Sequence, residues 1–593
     1  MVDPSALPAA CVATPVLGAC VLLAGGRWLP GWAVDAIGTA TTLIGTVLAA
    51  LLLHAAAPGR VVEWAGGWQP RPGLTVGIVL VADRTGAGLA VLIFGLATCA
   101  LLFGWRYFDS VQAHYPALVL LFVAGMVGFA LTGDLFDMFV FFELMGAAAY
   151  ALTGFKIEEP DSVQGGLNFG VVNSLGAYLC LTGIGLLYAR TGELGLPQLA
   201  SALTGKSADP LIWAAFVLIC TGWLVKAAIV PFHFWLADAH AVAPAPVCVL
   251  FSGVMAPLGC YGVARVYWVV FHGVLPDSSV HRAFLVLGAA TAVLGAVMCV
   301  IQRHIKRLLA YSTIAHIGLL LPAVVEAPPL GLAGASVYLV GHAAVKGALF
   351  LLTGLLLSRY HAVDEVRLFG RARDHRIAGC AFALGGLALG GLPPFATALG
   401  KSLLEEAGGS TPLTVVTLLV SALTGGAVLR VALRVYFGVG PPPPDEPASD
   451  VVTGQDEEPD ARPPRSTPIS MAAAITLLLG AGVAAGFLPG VGSAAATFAD
   501  QHGYMAQALS AVGQGPLAPG ADTGWSTSAV LTGLLGAVLA VVVAVVGVRL
   551  PRPPAWVRPV LAGLHRLHSG HLGDYAAWLV FGAAAFTGLL VLG

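Results

Sequence analysis

Stretches of about twenty predominantly apolar residues follow one another along nearly the whole chain, and that length is what a helix needs to cross a bilayer. In hydrocarbon every backbone polar group must be paired within its own segment, so a chain of this kind folds as a bundle of membrane helices. Sixteen spans are predicted. They lie near 5–25, 32–57, 77–104, 115–132, 135–154, 165–189, 209–240, 245–271, 282–302, 306–325, 331–358, 376–407, 411–438, 469–489, 525–548 and 574–592. Two of them are predicted to break: the seventh at Pro231, the twelfth at Leu392-Pro393-Pro394. The first lacks a basic stretch before it and reads as a retained helix, not a cleaved signal.

Composition agrees and narrows the function. Charged residues make up 10% of the chain, against about 25% in soluble domains. A net charge of −2 gives nucleic acid nothing to bind. The nine cysteines lie singly, most within apolar segments, and form no CxxC pair; they read as small buried hydrophobes, so no metal or iron–sulfur site is expected. Residues 440–467 are proline-rich, acidic and nearly free of large apolar side chains, which predicts a flexible aqueous linker. The stretch 491–522 is rich in Ala and Gly and only weakly amphipathic, the pattern of an interfacial segment or a loop.

Orientation follows from the basic residues. Loops after odd-numbered spans hold 19 Lys and Arg, and loops after even-numbered spans hold seven. The positive-inside rule therefore puts both termini outside and the linker in the cytoplasm of a multi-pass cell-membrane protein.

Glu143, Lys226, Lys346 and Lys401 sit inside apolar stretches long enough to cross a membrane. A charge at the bilayer centre costs at least about 2.5–3.5 kcal/mol, and such residues mark ion or proton pathways. Lys226 precedes Pro231, and Lys401 follows Pro393-Pro394. Broken helices beside ionisable groups, in two halves of one chain, are how transporters build ion paths. Glu143 and Lys226 are the natural partners. At about 4 Å and an effective dielectric of 20 they would attract by about 4 kcal/mol, and a pair that opens and closes is a proton valve. In the second half, His342 and Lys346 share a helix face, being four residues apart. His316 adds a third titratable group. Asp134, Asp137 and His233 are accessory candidates.

The blocks DLFDMFVFFELM, KAAIVPFHFWLADAHAVAPAPV, FSGVMAPLGCYGVAR, KRLLAYSTIAHIG, HAAVKGALFLLTG and GGLPPFATALGK occur in order over roughly 75–440. Together they resemble the antiporter-like subunits shared by respiratory complex I, Mrp-type Na⁺/H⁺ antiporters and membrane-bound hydrogenases. The resemblance implies an all-α polytopic fold of about fourteen core helices. It also implies two inverted five-helix repeats, each with a broken helix, and proton-transfer roles for Glu143, Lys226, Lys346 and Lys401. The expected organisation is N-terminal helices over 1–114, repeats over 115–280 and 281–439, the linker, and C-terminal extra helices over 468–593. The tail LHSGHLGDYAAWL is similar to the extension of longer family members, although 551–573 is too short for a long lateral helix. Two departures stand out: Asp137 where the family commonly has Asn, and Pro257 where many members have a lysine that links the two halves. A kink that admits water is expected near Val254–Pro257.

With no nucleotide loop, flavin motif or cluster ligands, any redox chemistry would belong to partner subunits, so no cofactor is expected and an enzyme role is left open. The leading reading is a proton-translocating subunit of an Mrp-like cation/proton antiporter complex, handling protons and a cation such as Na⁺ among other membrane subunits. The alternatives are the proton-pumping arm of an NADH–quinone oxidoreductase or hydrogenase-like complex, and a non-pumping scaffold.

Overall fold

A computed structural model describes residues 4–68, 77–108, 113–325, 329–442, 467–509, 520–549, 563 and 571–591. Most of the linker (443–466) and most of the stretch 551–573 lie outside the described residues.

The helices are α1 (Leu7–Gly25), α2 (Gly31–Ala55), α3 (Arg84–Gly104), α4 (His114–Leu131), α5 (Leu135–Thr153), α6 (Pro160–Thr191), α7 (Leu196–Leu203), α8 (Pro210–Lys226), α9 (Phe234–Val242), α10 (Ala245–Leu250) and α11 (Ala256–Val266). The second part holds α12 (Asp277–Ile301), α13 (Ile305–Ala323), α14 (Leu330–Tyr360), α15 (Arg376–Gly390), α16 (Ala396–Gly408), α17 (Thr411–Val435) and α18 (Ile469–Ala484). The tail adds α19 (Val491–Ala499), α20 (Gln501–Ala508), α21 (Thr527–Arg549) and α22 (Leu572–Val591). Among the described residues, thirteen helices, counting α10 and α11 as one continuous span, are long and apolar enough to cross a membrane. The other three expected spans are α13, whose first turn carries Lys306 and Arg307, and the broken pairs α8/α9 and α15/α16.

The third expected span begins too early. Residues Val79–Ala82 are strand β2, paired antiparallel with β1 (Val61–Trp64) in the register Val61↔Ala82 to Trp64↔Val79. A short valine-rich run before a polar cap reads the same as the start of a membrane helix until its partner strand is known. Asp83 then caps α3 by accepting from the Gly86 amide at 2.8 Å.

The hairpin defines one face of the bundle. Gly133 N–H donates to Val79 O there, and Arg60 donates to the carbonyls of Thr497 and Asp500. Helices α19 and α20 are thereby tied to the hairpin face, so most of the stretch 491–522 is ordered helix against the bundle. The opposite face carries the loop between α14 and α15. There the fully buried Glu365 accepts from Arg430 and Arg434 at 3.0 Å and from Arg303 at 3.3 Å.

Close packing within the bundle rests on small residues. A Cβ at Gly222 of α8 would sit 2.7 Å from the Gly176 carbonyl of α6, so the broken helix and its long neighbour touch backbone to backbone. The same intimacy recurs where α16 crosses α14. In both halves, a long unbroken helix thus forms the wall on which a broken one lies.

Candidate functional site

In the first half, α8 ends at Lys226 and α9 starts at Phe234. Between them Val230–Pro231 is a cis bond and Ala228 adopts a positive φ of 52°. The groups freed by the break are taken by side chains: Trp235 Nε1 donates to Val225 O at 2.9 Å, and Val230 N–H donates to Thr291 Oγ1 at 3.0 Å. Lys226 is fully buried, and its Nζ has no hydrogen-bond partner among the described residues. The ammonium lies instead over aromatic faces, 4.3 Å from the Phe142 centroid and 5.8 Å from those of Tyr150 and Phe169. Such faces carry negative charge density and hold a cation without trapping its protons in fixed hydrogen bonds.

The expected contact between Glu143 and Lys226 is not made: no ion pair within 4.0 Å joins them among the described residues. The reason is angular. Phe142 points inward at the lysine, and Glu143, one residue on, turns about 100° around α5. It falls on the stripe that exposes Phe136 (43%) and Val140 (44%). Glu143 as a residue is only partly covered, but its Oε1 is buried and unpartnered among the described residues.

The accessory candidates divide. Asp134 caps α5, accepting from the Asp137 amide at 2.9 Å, which is a structural task. Asp137 lies in the first turn, buried, with Oδ2 unpartnered. Both sit at the hairpin face, away from the lysine. His233 stands at the restart of the broken helix, its ring 4.1 Å from that of Phe234.

The second half brings its expected residues together. Lys346 is fully buried and donates to Leu309 O and Ser312 Oγ. His342, one turn before it, lies 5.2 Å from His316, whose Nε2 is 2.9 Å from Thr424 Oγ1. Tyr338 stands 6.1 Å from His342 and 5.9 Å from His316. The Lys401 ammonium is 6.0 Å from the Tyr338 ring and donates to Leu389 O across the second break, beside the cis bond Pro393–Pro394. Lys346, His342, His316, Tyr338 and Lys401 thus form a file of buried ionisable side chains, the three rings and the Lys401 ammonium following one another at 5.2–6.1 Å between ring centres or from ammonium to ring centre.

Between the halves sits a residue that the sequence analysis passed over. His240 is fully buried with both ring nitrogens unpartnered among the described residues. It stacks on Phe350 at 4.7 Å and stands 5.9 Å from Phe251. Phe251 packs on Phe169, the ring beside Lys226, and Phe350 lies 5.7 Å from the Lys346 ammonium. His240 is therefore the polar group on the aromatic path from Lys226 to Lys346. The available signal was a histidine inside an apolar run, the same signal that picked out His316. The distortion expected near Pro257 takes the form of a π turn over Phe251–Met255, directly beside His240; such turns widen the helix and loosen its backbone pairing.

Residues 132–425 match the family described as NADH:quinone oxidoreductase/Mrp antiporter, TM. A Na(+)/H(+) antiporter subunit of Bacillus subtilis (strain 168) is 30% identical over 412 residues, covering 68% of this chain and 81% of that protein. An NADH-quinone oxidoreductase subunit of Desulforudis audaxviator (strain MP104C) is 35% identical, over 56% of this chain and 66% of its own length. Among solved structures, one protein of the Mrp complex from Dietzia sp. DQ12-45-1b superposes with a TM-score of 0.74 at 28% identity, covering 86% of this chain and 100% of that one.

Proposed function

Since the chain belongs to the NADH:quinone oxidoreductase/Mrp antiporter family of multi-pass membrane subunits, we propose that it moves protons along its buried lysine–histidine file within an Mrp-type cation/proton antiporter complex. The observation that carries this reading is the spacing of Lys346, His342, His316, Tyr338 and Lys401 through the bundle interior. Buried ionisable groups this dense have no stabilising purpose, because apolar residues of equal volume would do as well or better. Lys226 forms the first station and His240 the bridge to Lys346, filling the place left by Pro257.

Glu143 serves as the inlet. Its partly open position on the face with Phe136 and Val140 suits contact with a neighbouring membrane subunit, since a carboxylate against lipid would be costly. The two halves, 115–280 and 281–439, act as inverted repeats. The opposite chain directions of α8 and α15, each running from a surface inward to its break, support that pairing. The protein sits in the cell membrane with its hairpin face outside and the linker in the cytoplasm. The 19 to seven bias in basic residues supports that orientation.

The test is a comparison of Lys226→Ala, Lys346→Ala and the double variant, in vesicles carrying the assembled complex and a pH-sensitive dye. A series pathway loses flux in either single variant, and the double is no worse. Substantial flux in each single variant that vanishes only in the double would mean parallel paths. A second reading, the proton-pumping arm of a quinone-reducing complex, is favoured by the likeness to the Desulforudis protein. Cation-driven proton movement in vesicles without NADH decides for the antiporter; movement only on NADH addition decides for the alternative.

A further inference from the structure

We propose that Glu405 is the outlet carboxylate of the pathway, taking the proton from Lys401 and delivering it to the hairpin face. This rests on the reading of Lys401 as the last buried station. Lys401 is 6% exposed, and Glu405 lies four residues further along α16, on the same helix face and one turn nearer its surface end. Burial falls off along that turn: Lys401 is buried, Glu405 partly covered, and Glu406 exposed, and the helix ends two residues later at Gly408.

Two features of Glu405 have no structural explanation. The last turn of a helix favours basic side chains, because its free carbonyls carry negative partial charge. The last turn of α16 has no basic residue and carries Glu405 and Glu406 instead. The pair also runs in the poorer order, since Glu before Lys is the favourable arrangement at this spacing. No ion pair within 4.0 Å joins Lys401 to Glu405, because the ammonium is turned back to Leu389 O across the break. A tight permanent pair would hold the proton; a carboxylate one turn away can receive it and let it go.

Among the described residues, Glu405 is the carboxylate whose charge bears on Lys401. The titratable groups that α13 and α14 bring near are His316, Tyr338 and His342, all on the inner side of Lys401. Arg430 and Arg434 of α17, Arg376 and Cys380 of α15, and Arg549 of α21 lie at the opposite ends of their helices, and α18 has none. In the transfer, one N–H bond of the Lys401 ammonium breaks and an O–H bond forms on Glu405, leaving both groups neutral. Glu405 then releases the proton to surface water, and Lys401 is reprotonated from the His342–Tyr338 side.

The experiment uses the full reconstituted complex in proteoliposomes, with proton flux read across a range of pH. Glu405→Gln is expected to lower flux at least about tenfold and to flatten its pH profile. Glu405→Asp retains much of both, and the exposed Glu406→Gln leaves them unchanged. Flux within twofold of the unmodified complex at every pH for Glu405→Gln would overturn the assignment. If Glu405→Gln does not assemble, carbodiimide treatment of the unmodified complex takes its place. Modification at Glu405, read by peptide mass spectrometry, together with loss of flux supports the proposal; modification with full flux overturns it. Lys401→Ala separates the two levels. Full flux in Lys401→Ala defeats the reading of Lys401 as a station, whereas its loss alongside normal Glu405→Gln flux defeats Glu405 alone.

Discussion

Gly400→Ala should damage transport without touching any ionisable group. Gly400 faces α14 where the half-helix bearing Lys401 crosses it. A Cβ there would lie 2.5 Å from the Tyr338 amide nitrogen and 2.6 Å from its Cα. Ordinary contact begins near 3.4 Å, so α16 must retreat by about 0.9 Å, and the obstacle is backbone that cannot rotate away. Taken along the bond from Lys401 Nζ to Leu389 O, that retreat stretches it from 2.5 Å to about 3.4 Å, beyond the usual hydrogen-bond limit of about 3.2 Å. It also widens the gap between the ammonium and the Tyr338 ring. Overpacking of this kind costs about 1–3 kcal/mol, little enough for a large bundle to assemble. A displacement near 1 Å at a reacting group can cost on the order of 100-fold in rate. The assay is dye-monitored proton flux in vesicles, with assembly followed by native gel. The control is Gly480→Ala, where nothing lies within 4 Å of the new methyl. Normal flux in a fully assembled Gly400→Ala complex would refute the claim that the α14–α16 crossing sets the position of Lys401.

Other outcomes follow from the same geometry. Lys226→Arg should assemble yet lose flux, because a guanidinium does not release its proton; an active Arg variant would mean that only fixed charge over Phe142 matters. His240→Phe keeps the stack on Phe350 and removes both ring nitrogens, so flux should fall by roughly 100-fold; unchanged flux would remove His240 from the path. Glu365→Ala strips the shared carboxylate from Arg303, Arg430 and Arg434, and should destabilise the solubilised protein by about 3–5 kcal/mol in thermal unfolding. The exposed Arg367→Ala is expected within about 0.5 kcal/mol of the unmodified protein, and equal melting of the Glu365 and Arg367 variants would dismiss the cluster as structural support.

The apolar spans, both breaks and the placing of Glu143, Lys226, Lys346 and Lys401 within them were legible in the sequence because hydrocarbon imposes local rules. Twenty apolar residues must be helix, a proline in mid-span marks a candidate break, and a charge among them stands out against its own neighbours. The repeated use of lysine beside a proline break pointed to the two helix breaks before any contact was known. The hairpin at 61–82 was missed because strand and helix differ there only by a partner 15 or more residues away. His240 was missed because a histidine's meaning depends on what surrounds it: stacked on Phe350 and edge-on to Phe251, it lies on the aromatic path between two lysines that are 120 residues apart in sequence.

Chain chemistry by itself therefore determined the solvent this protein lives in, where its apolar helices lie and which ionisable groups they carry. Tertiary packing alone decided their order in space. It set Phe142 against Lys226 and left Glu143, the next residue, without an ion pair to that lysine, left Lys226 on aromatic faces with no hydrogen-bonded partner among the described residues, and aligned Lys346, His342, His316, Tyr338 and Lys401 from three helix segments into one file. Apolarity is a property of each residue and can be read one residue at a time. Which two buried polar groups come within reach of a shared proton depends on how helices rotate and cross, and that is set by backbone contacts at residues such as Gly222 and Gly400, far along the chain from the groups they position.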